Sequence, residues 1–169
     1  MPESESTSAR KGKATEHLIA ASCILASNGQ LNALTGLVDD EGVDVTFKRR
    51  DGFRTVDVQI KSRFLASSKN LRKNGTFVAD TREATFRPRD DLYMLFVVVE
   101  AKTATFGPVW LVPSTVLDQK AFRVTVKKKK LVRFQASSKK NSKDKWRAYR
   151  MSAEKLAPEL LRIVKSLEN

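Results

Sequence analysis

The strongest constraint on how this chain can fold is a pair of alternating runs on either side of Asp51-Gly52. Val43, Val45 and Phe47 alternate with polar residues, as do Val56, Val58 and Ile60, which is the period of half-buried strands. Asp-Gly between such runs predicts a two-residue hairpin turn. With Asp51 and Gly52 as the loop, opposed residues have numbers summing to 103, which pairs Val43 with Ile60, Val45 with Val58 and Phe47 with Val56. A one-residue slip breaks all three matches, so the pattern supports the register independently of the turn.

Around this hairpin the chain reads as one domain. Hydrophobic residues at 41% and charged residues at 30% of 169 are enough to build one core and exclude a wholly disordered chain. Residues 1–13 are polar and aperiodic and predict a disordered tail, leaving 14–169 as the folded domain. A first helix, expected to be largely buried, runs from Ala14 to about Ser27, with Leu18, Ile19, Ala21, Ile24 and Leu25 around much of its wheel and Asn28-Gly29 as its stop. A short strand is expected at 76–79. The unbroken apolar run 92–99 predicts a central strand covered on both faces, and at eight residues it is too short to cross a bilayer as a helix. A strand at 109–112 ends at Pro113, with Ser114 placed to cap a brief helical turn. Phe122, Val124 and Val126 followed by 131–134 predict a second hairpin with a basic tip, and Leu160, Ile163, Val164 and Leu167 a final amphipathic helix. The order of elements indicates an α/β domain around a mixed sheet. A lone cysteine, Cys23, in apolar surroundings and an N-terminus without a basic and apolar leader predict a cytoplasmic protein with no membrane span.

The hairpin register also places polar groups. Asp44 and Gln59 sum to 103 and face each other on the non-core side, with Lys61 two residues on. A carboxylate and an amide oxygen whose Cβ atoms stand about 5 Å apart can share a hard cation. A nearby ammonium can hold a phosphate oxygen or polarise a water. Such a set suits phosphodiester hydrolysis. Histidine chemistry is excluded as a basis for the site, because His17 is the only one and points about 100° from Glu16 on the helix. Asp39, Asp40 and Glu41 form an acidic cluster before the first strand, read as a solvated turn from which one acid could reach a second metal.

With Glu16 on the first helix, Gly42-Val43-Asp44 opening one strand and Gln59-Ile60-Lys61-Ser62 ending the next, the sequence resembles the PD-(D/E)XK nuclease superfamily, which includes many restriction endonucleases and archaeal-type Holliday junction resolvases. The resemblance covers residues 12–62, and more loosely 92–99 and Trp110-Leu111-Val112-Pro113. It implies a restriction-endonuclease-like mixed sheet flanked by helices, with an α-β-β-β-α-β core. It further implies magnesium or manganese held by Asp44, Gln59 and the main chain of Ile60, with Glu16 as an extra ligand and Lys61 assisting the attacking water. Val43 replaces the motif's proline, which supplies no ligand. Gln59 replaces an acid, which removes one negative charge from the ligand set.

The charge balance points to the same partner. Lysine and arginine number 32 against 19 acids, a net +13, and residues 120–150 hold thirteen of the bases and one acid, Asp144. So local an excess predicts attraction to phosphate backbones, with Lys127, Lys128, Lys129, Lys130, Lys139, Lys140, Lys143, Lys145, Arg147 and Arg150 as the candidate DNA contacts. Trp146 and Tyr149 are read either as base-stacking platforms or as core. The expectation is a metal-dependent endonuclease acting on duplex or branched DNA, homodimeric by fold-level analogy. The competing readings are a catalytically inactive nucleic-acid-binding module on the same fold and an interaction component of a defence or mobile-element system.

Overall fold

The structure, a computed structural model, describes residues 5–36 and 42–168. Helix α1 (Glu5–Ala26) begins at Glu5, not at Ala14, so residues 5–13 are helical and the expected tail is corrected there. Residues 1–4 and the acidic cluster 39–41 lie outside the described residues. A polar first half has no apolar period to read, yet once a packed turn exists each added residue extends a helix cheaply. The helix is also less buried than expected. Only one stripe is covered, Thr15, Ile19, Cys23 and Ser27 at four-residue spacing together with Ala20, while Leu25 is 80% exposed. Asn28 and Gly29 end the helix in the left-handed region, at φ 52° and 71°, as expected of that pair.

Strand β1 (Leu31–Leu34) leads to the hairpin of β2 (Val45–Arg49) and β3 (Thr55–Phe64). The register is the expected one, with Val45 opposite Val58 and Phe47 opposite Val56. The two ends differ from expectation. The last ladder pair at the turn is Lys48 with Thr55, because the Arg50 N–H bonds Gln30 O at 2.8 Å and Gly52 N–H bonds Arg49 O at 3.0 Å. Gly52 is needed for space more than for handedness: a Cβ there would meet the Glu168 carboxylate and stand 3.1 Å from Arg49 Cβ. At the other end no Val43–Ile60 pair forms; β2 starts at Val45, and Asp44 takes over the contact.

Beyond β3 come α2 (Lys69–Asn74), β4 (Thr76–Arg82), β5 (Leu92–Glu100), β6 (Thr105–Pro113), α3 (Ser114–Lys120), β7 (Phe122–Val126), β8 (Lys129–Ser137), β9 (Arg150–Met151) and α4 (Leu156–Glu168). The main sheet is ordered β1-β2-β3-β5-β6-β9 and is mixed, with β3 and β5 parallel and every other pair antiparallel. Helices flank it as expected for the α/β class. Strand β5 is central, and its two faces serve different cores. Leu95, Val97 and Val99 pack with α1 and α4, while Met94, Phe96 and Val98 pack on the other side, which is why the run carries no alternation.

What covers that other side is a second sheet, ordered β4-β8-β7. The two sheets enclose Phe77, Phe96, Trp110, Phe134 and Trp146, all buried, with Phe96 and Phe134 stacked at 3.7 Å between centroids. Ser114 is not a cap: it is the first residue of α3, is buried, and exchanges hydrogen bonds with the main chain of Arg89, accepting at 2.9 Å and donating at 2.8 Å. Among the described residues no helix is long and apolar enough to cross a membrane.

Candidate active site

The candidate site forms where β2 stops and β3 continues. Asp44 N–H bonds Val58 O at 3.0 Å, and Asp44 Oδ2 accepts the Ile60 N–H at 2.5 Å. The carboxylate thus replaces the backbone group that the next ladder pair would have supplied, and it is fixed against β3 beside Gln59. Gly42 brings the chain in from the other side. Its φ is +68°, and a Cβ on it would lie 2.9 Å from Gln59 Nε2, so the amide is pressed against the backbone that leads to Asp44. The structure therefore brings together Asp44, Gln59 and the main chain of Ile60.

Lys61 follows on the same face of β3, since Val56, Val58 and Ile60 are buried in the helix-side core and the alternate residues point away from it. Lys61 lines an open cleft of about 480 Å³ with Ser8, Arg63, Ser67 and Ser68. Ser8 belongs to the part of α1 that the sequence left unassigned. Glu16 sits on that helix, which covers the Ile60 face of β3, whereas Gln59 and Lys61 project from the opposite face. Its Oε2 lies 2.7 Å from Lys13 Nζ. The same oxygen is shielded from solvent with no donor aligned on it, so the lysine serves it through charge alone.

Three neighbours on the Gln59 face were not singled out from the sequence, although the alternation that marks Gln59 and Lys61 marks two of them. Asp57 accepts from Thr46 Oγ1 at 2.6 Å and from Arg89 Nη2 at 2.5 Å, so its charge is already matched. Arg63 donates from Nε to Val78 O at 2.8 Å and from Nη1 to Ser62 O at 2.9 Å. Burial lowers its pKa from the ordinary arginine value, opposed by the nearby Asp80, and it ties β3 to the edge of β4. Arg89 is visible only in three dimensions, because it reaches Asp57 from a loop 32 residues away.

The donors are hard oxygens, which suits magnesium or manganese better than a thiophilic metal. The clamped Asp44 carboxylate fits a cation-binding role, whereas Glu16 Oε2 is already served by Lys13, and no three His, Cys, Asp or Glu side chains among the described residues gather to hold an ion. A cation here would draw on the Gln59 amide and the Ile60 main chain as well. Cys23 belongs to the core, and burial pushes its thiol up to about 12.

The basic segment divides. Lys127, Lys128, Lys129 and Lys130 are exposed at the tip of the β7–β8 hairpin, while Lys139, Lys140, Lys143 and Arg147 are exposed in the region beyond β8, about 30 Å of strand away. Lys145 donates to Lys120 O at 2.5 Å and stands 3.9 Å over the Phe122 ring. Arg150 donates to Ser138 O at 2.9 Å. Trp146 is fully buried and packs on Phe134 at 4.9 Å, so of its two readings the core is the one found. Tyr149 is half-buried against it.

No protein-family model matches the chain, and no curated protein matches it. A solved structure does: that of a bacterial homing endonuclease, I-Ssp6803I, aligned over 94% of this chain and 97% of that one with a TM-score of 0.52 and 18% identity. The two chains share a fold. The likeness extends over nearly the whole chain, not the hairpin alone.

Proposed function

We propose that the protein is a metal-dependent endonuclease of the PD-(D/E)XK type that hydrolyses phosphodiester bonds in DNA. The observation that carries this reading is the Asp44 carboxylate clamped on the Ile60 N–H beside the amide of Gln59, with Lys61 next on the same face. The shared fold with a protein described as a homing endonuclease supports it. Asp44, Gln59 and the Ile60 carbonyl would hold magnesium or manganese. When bound, the ion supplies electrostatic stabilisation of the charge that grows on phosphate oxygens. Lys61, which lines the open cleft and whose Nζ has no hydrogen bond or ion pair among the described residues, would hold a phosphate oxygen and orient the incoming water.

Replacing Lys61 with alanine is expected to lower the rate of DNA nicking in magnesium by at least about a hundredfold, with duplex affinity and thermal stability nearly unchanged. A supercoiled-plasmid nicking assay beside a binding titration checks it, and full magnesium-dependent turnover in the variant would end the assignment. One observation favours a second reading, a nucleic-acid-binding module without chemistry: the described residues contain no cluster of three acidic or imidazole ligands. Wild-type binding that survives EDTA, with no nick in magnesium or manganese, would select it.

A further inference from the structure

We propose that the β7–β8 hairpin is a ribbon that enters the major groove of duplex DNA and sets its tip lysines on phosphates at either wall. This deepens the endonuclease reading and rests on it for the identity of the polyanion. The first observation is the shape of the hairpin. Strand β4 ends opposite Leu131 at Arg82, Glu83 N–H adds one last bond to Lys130 O at 3.1 Å, and beyond it the Val126–Lys129 pair continues as two strands alone. That pair and the turn project about 7 Å beyond the last bond to the third strand. A two-stranded ribbon is the width that the major groove, about 12 Å across, admits.

The second observation is the turn itself. Lys127 and Lys128 occupy its two central positions at φ 48° and 65°, the left-handed region that Asn-Gly fills readily and a residue with a long side chain does not. Local turn preference is overridden at the one place where two charges gain most by projecting. Such violations concentrate at functional sites.

The third is the local charge. Lys127, Lys128, Lys129 and Lys130 are all exposed, and none is ion-paired among the described residues. The last three share a groove of about 580 Å³ with Arg82, Glu83 and Ala84. Glu83 and Asp118 share the one guanidinium of Arg123, so a single net negative charge stands against the four lysines of the tip. Lysines also serve to keep edge strands from aggregating, but these do not line the edge. The exposed side chains along β7 include Phe122 and Val126 at 51% and 42%, and the lysines cluster at the tip.

The test is the double variant Lys127→Asn with Lys128→Gly in the full chain, which installs the preferred turn while removing both charges. Its melting temperature is expected to rise, so lost binding would not reflect misfolding. Anisotropy titrations on a duplex of about 30 base pairs across a salt series should show roughly tenfold weaker binding at about 0.1 M salt and a slope of log affinity against log salt reduced by about 2. Methyl green, which occupies the major groove, should raise the wild-type midpoint, and netropsin, which occupies the minor groove, should not. Unchanged affinity and slope in the variant, competition by netropsin in place of methyl green, or a wild type that binds no duplex DNA would each overturn the proposal. The outcomes separate it from the nuclease reading. Cleavage with hairpin-independent binding overturns the ribbon alone, and hairpin-dependent binding without any nicking overturns the enzyme alone.

Discussion

Gly42 shows how one residue without a side chain can set a site. It holds a positive φ and leaves no room for a Cβ against Gln59, so its role is to let the chain pass close to the amide before Asp44 turns onto Ile60. Changing Gly42 to alanine is expected to cost about 1–2 kcal/mol in stability from the left-handed backbone alone. It should also displace Gln59 and slow magnesium-dependent nicking by more than that loss explains. Urea unfolding and nicking rates measured on the same preparation check this. A destabilised variant with full activity per folded molecule would show that Gln59 is not positioned by this contact. Asp44 and Gln59 were readable because strand alternation is local. Gly42 was legible only as part of a motif, since nothing in its neighbours reveals which side chain it touches.

Among the elements, the loop after β8 depends most on one group. Asp144 accepts from Ser137 N–H at 2.8 Å, Ser142 Oγ at 2.8 Å and Trp146 N–H at 2.9 Å. Partial burial pushes its pKa up, but these bonds and the nearby Arg150 outweigh it and hold the carboxyl below its ordinary value of 3.8. A depressed acid contributes its full stabilisation above that value, and the contribution fades as the pH falls through and below about 4. Asp144→Asn is therefore expected to destabilise by about 1–2 kcal/mol at pH 7, with the gap to wild type closing on acidification. Melting curves at pH 7, 5 and 3 check it, and a gap that stays constant would show that the carboxylate charge is not what matters. In sequence, Asp144 looks like the lone acid diluting a basic run. In the fold it orders the loop that carries Lys139, Lys140 and Lys143.

At the scale of the molecule, stability hinges on the layer between the two sheets. Phe134 touches Phe77, Phe96, Trp110 and Trp146, so it joins β8 to β5, β6 and the loop beyond it. Phe134→Ala should lower stability by about 3–5 kcal/mol and remove most of the near-ultraviolet dichroism of this cluster, as measured by urea titration and circular dichroism. A loss under about 1 kcal/mol would mean the small sheet is held from elsewhere. Because Arg63 ties β3 to β4, the variant should also loosen the cleft around Lys61.

The strands β2 and β3, their register, β4, the central β5, β6, the β7–β8 hairpin and the terminal helix follow from the sequence by itself, because their signals lie within a few residues of one another: alternation, a continuous apolar run and an amphipathic period. Tertiary structure decided the rest. The polar start of α1 is helical because the helix it extends is packed. The expected tight turn is widened where Arg50 N–H bonds Gln30 O. The small sheet exists because β5 exposes a second apolar face that must be covered, and one run of lysines becomes two separate clusters because β8 runs between them. Each of these depends on which distant surface a segment meets, and a free energy of burial belongs to both surfaces at once.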